Sequence, residues 1–237
     1  AHREQFEPIF FDFDIKRFTF SLHAFVVKTD KHTIVVDTCV GNDKTRQARK
    51  HFNMRDDARF MNELAAAGVH PEEVDYVMCT HLHGDHVGWN TRLENGEWVP
   101  TFPNAKYLFS DMEIDFWSNI PDDRNHYNAY RDSVLPVIES GNALTVKTDH
   151  GIDDSVWLVP AEGHTPGQYS VALKSNGAEA MLSGDVFHHP IQCVRPEIST
   201  AFCIDPDAAV QTRLDYFERY ADTNMKFFPA HFPAPTA

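Results

Sequence analysis

The sequence predicts an α/β chain of the α+β kind, on three observations. Strand-like and helix-like segments alternate with no Pro/Gly/Ser-rich linker or low-complexity tract, which argues for one domain over residues 1–237. Several strand-like runs end on a polar, ligand-type residue: Asp37, the cluster from His81, His164, Asp185 and His231. That pattern recurs in both halves of the chain, so strand ends would gather donor groups in a cleft at one edge of packed sheets.

In chain order, residues 32–37 read as a buried strand, rich in Ile and Val and closed by Asp37. Residues 56–67 carry Phe60, Met61 and Leu64 at helical spacing and stop at Gly68, a natural C-cap. Residues 74–79 form the next strand and run straight into Thr80-His81-Leu82-His83-Gly84-Asp85-His86. Residues 105–109 look like a strand, 111–117 like a short helix, and 128–138 like a helix interrupted by Pro136 and ended by Gly141. Residues 168–174 and 178–182 are strands joined by Ser175-Asn176-Gly177, a hairpin signal because Asn-Gly supplies positive φ at little cost. Asp205 caps a helix that starts at Pro206 and runs to Tyr220, and 225–228 is a last strand that delivers His231.

Composition narrows the partners. With 237 residues, 42% of them hydrophobic and 24% charged, the chain can bury a sizeable core, and no run approaches the roughly 18 apolar residues of a membrane helix. A net charge of −14 repels phosphate backbones and anionic bilayers, so neither nucleic acid nor a membrane surface is expected, and a small neutral molecule is. No charged segment followed by an apolar core stands at the N-terminus, so a cytoplasmic location is expected, with a processed secreted form as the alternative. Cys39, Cys79, Cys193 and Cys203 are far apart with no CxxC pair and read as buried, reduced thiols. A homodimer is the assembly most often met among soluble enzymes, but no sequence feature selects it.

Three imidazoles and a carboxylate within six residues of a strand end are metal-ligand chemistry. Imidazole and carboxylate suit Zn²⁺ and neighbouring divalent ions, and a strand-to-loop junction lets alternate side chains converge. A lone loop histidine is ordinarily solvated, but seven ligand-type residues in such contexts do not arise that way.

This constellation resembles the metallo-β-lactamase-fold hydrolases, whose signature is H-x-H-x-D-H followed by a separate His, an Asp and a last His. Here it runs His81, His83, Asp85 and His86, then His164 in Gly163-His164-Thr165-Pro166-Gly167, Asp185 in Ser183-Gly184-Asp185, and His231. The resemblance implies an αββα sandwich of two mixed β-sheets flanked by helices. It implies two divalent ions, Zn²⁺ first among them, with His81, His83 and His164 on one, Asp85, His86 and His231 on the other, and Asp185 bridging. Asp37 would steady a ligating histidine through its outer N–H. A hydroxide shared by the metals would be the nucleophile, and Asp85 would pass a proton to the leaving group.

His188, three residues after Asp185, stands where acyl-homoserine lactonases of this fold often carry a Tyr; an imidazole there could polarise a carbonyl or protonate a leaving group. Asp85, Asp185 and His188 are therefore the catalytic candidates. Trp89 and Phe187 are candidates for an apolar pocket wall, which favours esters, lactones or aryl phosphotriesters over highly charged substrates. Within the fold, the pattern is nearest to dinuclear lactonases of the acyl-homoserine and pyridoxolactone types, with quorum quenching among their roles, and to methyl parathion hydrolase-like enzymes. Lactone or carboxylic ester hydrolysis is the function expected, and organophosphate hydrolysis on the same metal core is the alternative. A non-catalytic metal-binding sensor or scaffold is the reading of a different class.

Overall fold

The computed structural model describes residues 7, 9–14, 16–120, 129–234 and 236; the first residue of the helix expected over 128–138 lies outside them. The chain divides into two compact units, His23–Lys147 and a second made of Ala1–Leu22 with Thr148–Ala237. The second unit opens with a short antiparallel ribbon, β1 (Phe11–Asp12) and β2 (Arg17–Phe18), that no sequence pattern announced. Its reason is aromatic: the Phe11 ring sits edge-on to Phe13 at 4.5 Å and to Phe18 at 5.0 Å.

The His23–Lys147 unit is a five-stranded sheet with helices on it. β3 (Phe25–Lys28) and β4 (Thr33–Val36) pair antiparallel, and α1 (Arg59–Ala66) leads to β5 (Tyr76–Met78). The helix begins three residues later than its pattern suggests, because Asp57 is held by Arg55 and turns its other carboxylate oxygen to the Arg59 N–H at 3.1 Å. A separate hairpin, β6 (Thr91–Glu94) and β7 (Glu97–Pro100), turns on Asn95 and Gly96, both at positive φ. β8 (Lys106–Ser110) is followed by α2 (Asp111–Ser118). A π-helical turn over Tyr130–Val134 then runs into α3 (Leu135–Glu139), and β9 (Ala143–Val146) closes the unit. Pro136 falls in the first turn of α3, where its missing N–H costs nothing, so the break expected at Pro136 is displaced to the turn before it.

The sheet order is β3-β4-β5-β8-β9, parallel from β4 onward. Val35, Val77 and Tyr107 lie side by side across it and are fully buried, packed with Leu64 of α1, Trp117 of α2 and Val137 of α3. Because β4 and β5 run parallel in direct register, Val36 beside Met78, their C-terminal ends leave the sheet at the same edge. Asp37 and the histidine loop are brought together by that register.

The second unit carries the other sheet: β10 (Gly151–Asp153), β11 (Val156–Pro160), β12 (Tyr169–Ser175), β13 (Ala178–Gly184) and, after two helices, β14 (Lys226–Pro229), adjacent in that order. Asn176 and Gly177 take the positive φ expected of the β12–β13 turn. α4 (Ile191–Val194) is short; α5 (Pro206–Tyr220) starts at the expected cap, with Asp205 accepting the Ala208 N–H at 3.0 Å. Tyr216 of α5 packs on Ala172 and Met181 of the sheet and donates its hydroxyl to Ser170 at 2.9 Å. Only β14 is parallel to its neighbour, pairing Gly184 with Pro229, so Asp185 and His231 leave the sheet together. Two mixed sheets flanked by helices are thus observed. Among the described residues, no helix is long and apolar enough to cross a membrane.

Candidate metal site

In the His23–Lys147 unit the donor loop is fastened to the end of β4. Asp37 is buried and held at φ +58, a backbone conformation that L-residues seldom adopt. Its carboxylate accepts the Thr80 N–H at 2.8 Å and the Thr80 hydroxyl at 2.9 Å, and lies 2.8 Å from His86 Nδ1. Main-chain bonds from Thr38 N to His86 O and from Gly88 N to Cys39 O, both 2.7 Å, zip the two loops together. The approach is so close that a Cβ on Gly88 would sit 1.9 Å from the Val40 carbonyl carbon, which requires glycine there.

His81 has its Nδ1 3.2 Å from the Thr80 hydroxyl and its Nε2 3.0 Å from His83 Nδ1. Two ring nitrogens facing at that distance hold a proton between them or share a cation. Donor atoms of Asp85 and His86 lie within 4.8 Å of each other. The middle of the motif is pinned from α2 by Glu113, which is buried and accepts both the Leu82 N–H at 3.0 Å and the Trp117 indole N–H at 2.7 Å. Sequence reasoning missed Glu113, since one acid in a short amphipathic helix reads as solvated surface.

In the second unit three imidazoles surround one carboxylate. His164 Nε2 lies 3.1 Å from Asp185 Oδ2, His231 Nε2 3.1 Å from Asp185 Oδ1, and His188 Nε2 3.2 Å from Asp185 Oδ2. All four residues are buried. The His164 turn exists because Gly163, at φ +124, lets α5 approach; a Cβ there would fall 2.3 Å from Ala209 N. His164 Nδ1 faces Cys203 Sγ at 3.5 Å, and His231 Nδ1 donates to the Ser21 carbonyl at 2.9 Å.

His164 and His188 differ in charge. In the metal-free protein burial opposes a proton on His164, but the Asp185 carboxylate outweighs it and lifts the ring to about 9. Burial pushes His188 down to about 4, with His164 and His231 adding to the effect, so it is a neutral imidazole at neutral pH. His189 is turned to structural use: its Nδ1 accepts the Ile191 N–H and its Nε2 donates to the Phe10 carbonyl.

The two pocket-wall candidates both make ring contacts. Trp89 is half-buried and stacks on Phe60 of α1, ring centroids 5.4 Å apart. Phe187 is buried in the core of its unit against Phe217 and Phe227, and its ring is committed to that packing. Among the described residues the four cysteines are free thiols; Cys79 is buried as expected, whereas Cys39 and Cys203 are half-buried and Cys193 is exposed.

The donor set fits divalent transition ions by its chemistry. His81, His86, His164 and His231 each have one ring nitrogen backed by a fixed neighbour (Thr80, Asp37, Cys203 and Ser21), while the opposite nitrogen of His81, His164 and His231 meets another ligand-type group. Outer bonds of this kind fix the tautomer and orientation of a ligating imidazole.

The model of the Metallo-beta-lactamase superfamily matches residues 19–226. An N-acyl homoserine lactonase of a Bacillus species is 25% identical over 130 residues, which are 54% of this chain and 44% of that protein. The chain thus spans less than half the length of the curated lactonase it matches. Among solved structures, the hydrolase AbOPH of the beta lactamase superfamily superposes with a TM-score of 0.75 at 29% identity, covering 92% of this chain and 74% of that one. AidC, a dizinc quorum-quenching lactonase in complex with the product N-hexanoyl-L-homoserine, gives a TM-score of 0.75 over the same shares at 23% identity, a likeness of fold.

Proposed function

Because the chain belongs to the metallo-beta-lactamase superfamily, we propose that it is a metal-dependent hydrolase that opens lactones or carboxylic esters with the help of two divalent ions, Zn²⁺ first among them. By the superfamily's ligand pattern, His81, His83 and His164 would hold one ion and Asp85, His86 and His231 the other, with Asp185 serving as a ligand to both. The observation that carries this reading is the backing of the histidines, above all Asp37 on His86 and the carboxylate of Asp185 facing His164 and His231.

Such ions, when bound, would lower the pKa of a coordinated water to about 7 and polarise an ester carbonyl. The chain's own residues do the rest. Asp37 keeps His86 in the tautomer whose Nε2 is available, and Thr80 does the same for His81. Asp85 is the proposed proton carrier to the departing alkoxide. His188, neutral and beside Asp185, is placed to donate a hydrogen bond to a substrate oxygen, in the position where related lactonases use a Tyr. The substrate is a small, neutral molecule, in keeping with the chain's charge of −14. Similarity to a dizinc lactonase and to N-acyl homoserine lactonases supports the lactone class.

His188 also favours a second reading, phosphotriester hydrolysis on the same metal core, because it departs from the lactonase Tyr. Proton release by the zinc-loaded protein from a lactone series of varied acyl chain, with an aryl phosphotriester and an aryl ester beside it, separates the two. Lactone turnover well above the others supports the first reading. Phosphotriester turnover with silence on lactones replaces it by the second.

A further inference from the structure

The imidazoles of the second unit are backed unequally. His231 Nδ1 donates to a main-chain carbonyl, Ser21 O, at 2.9 Å, whereas His164 Nδ1 meets a thiol, Cys203 Sγ, at 3.5 Å. We propose that Cys203 is a positioning residue for His164: its sulfur accepts the His164 Nδ1–H and so fixes which face of that ring is offered to a metal ion. The proposal rests on the metal-dependent reading above, with His164 as a ligand.

The contact is built rather than incidental. Immediately after Cys203, the Ile204 N–H bonds to the His164 carbonyl at 2.8 Å and the Asp205 N–H to the Gly163 carbonyl at 3.0 Å. These two bonds clamp the Cys203 segment onto the turn that carries His164. On its other side the sulfur is 3.6 Å from the Thr200 hydroxyl, and the Cys203 N–H bonds to the Thr200 carbonyl. The far end of the segment is the cap of α5, Asp205, so Cys203 sits between two fixed points.

With Nε2 turned to the Asp185 side and given to a metal ion there, the one proton of a neutral His164 would stand on Nδ1, and sulfur is the acceptor it would meet. Sulfur is a weak acceptor beside a carboxylate or carbonyl. An ion held by His164 would therefore be held less tightly than with a carboxylate or carbonyl in the place of the sulfur. No pattern around Cys203 announced this, since the residue stands in a loop 39 positions from its partner.

The test uses the whole chain loaded with Co²⁺, whose absorption spectrum reports each site's ligand geometry, and a chelator that competes for the metal. Cys203→Ala, Cys203→Val and Cys203→Ser are compared with wild type and with Cys193→Ala, an exposed thiol that serves as control. Val fills the volume of the thiol without a polar atom, so the comparison survives if Ala unfolds. The expected result is roughly a 10-fold or greater loss of affinity for the ion held by His164 in Ala and Val, with a changed cobalt spectrum, most of it restored by Ser. Wild-type affinity in the Ala or Val variant, or a Ser variant as weak as they are, overturns the role of Cys203 alone. A wild-type chain that takes up no cobalt overturns the metal reading, and this inference with it.

Discussion

Asp37 Oδ2 lies 2.8 Å from His86 Nδ1, and Asp37 reaches it from a left-handed backbone conformation, φ +58. A strained, buried acid that accepts three hydrogen bonds at the end of a strand is held for its carboxylate. Asp37→Ala should lower affinity for divalent metal by roughly 10–100-fold, measured by chelator competition. Unchanged metal affinity would show that the carboxylate serves the loop and not the imidazole.

Glu113 pins the histidine motif from α2 through Leu82 N and Trp117 Nε1. Removing its carboxylate strands two donors in a dry environment, each at a cost of about 1–3 kcal/mol. Glu113→Ala should therefore lose roughly 2–5 kcal/mol of stability in urea, and Glu113→Gln less. A loss within experimental error in both would mean that water reaches these donors.

Much of the fold was legible, and the exceptions have physical causes. α5 was readable to the residue because its signals are local: Asp205 as cap and Pro206 at the first position. The β12–β13 hairpin is legible from Asn176-Gly177, and the same signal stands at Asn95-Gly96 between β6 and β7, whose four-residue strands show no clear alternation. β1 and β2 consist of two residues each and are held by rings, which leaves no alternation to read. At the site, ligand-type residues stood out because they cluster at strand ends. Their supports did not: Glu113 and Cys203 act on residues 31 and 39 positions away, and Ser21 offers only its backbone across 210. Phe187 reads as a wall from its place after Asp185, and its ring packs against Phe217 of α5.

Lys44 gives the fold a pH dependence. Its amine is buried, donates to Thr91 Oγ1 at 2.6 Å and to the Asp132 carbonyl at 3.0 Å, and lies 3.4 Å above the Trp98 ring. Burial pushes it down to about 7; Asp132 and Asp43 resist, while Arg46, itself paired with Asp132 at 2.6 Å, adds to the depression. Between about 7 and the ordinary lysine value near 10.4, the unfolded chain binds a proton that the fold releases, so this group's contribution to stability rises with pH. The stability of wild type relative to Lys44→Met should climb from pH 7 to pH 9, by up to about 1.4 kcal/mol per unit. Denaturant curves of both proteins at three pH values decide it, and a constant difference would contradict the shift.

Metal stripping and reconstitution probe the proposed chemistry at its root. Metal-free protein is titrated with Zn²⁺ while lactone opening is followed by proton release, with Asp185→Asn in parallel. The expected result is silence without metal, turnover that rises until both ions are in place, and metal retention and rate falling together in Asp185→Asn. Hydrolysis by the metal-free chain, or an Asp185→Asn variant with full metal and full rate, would contradict it.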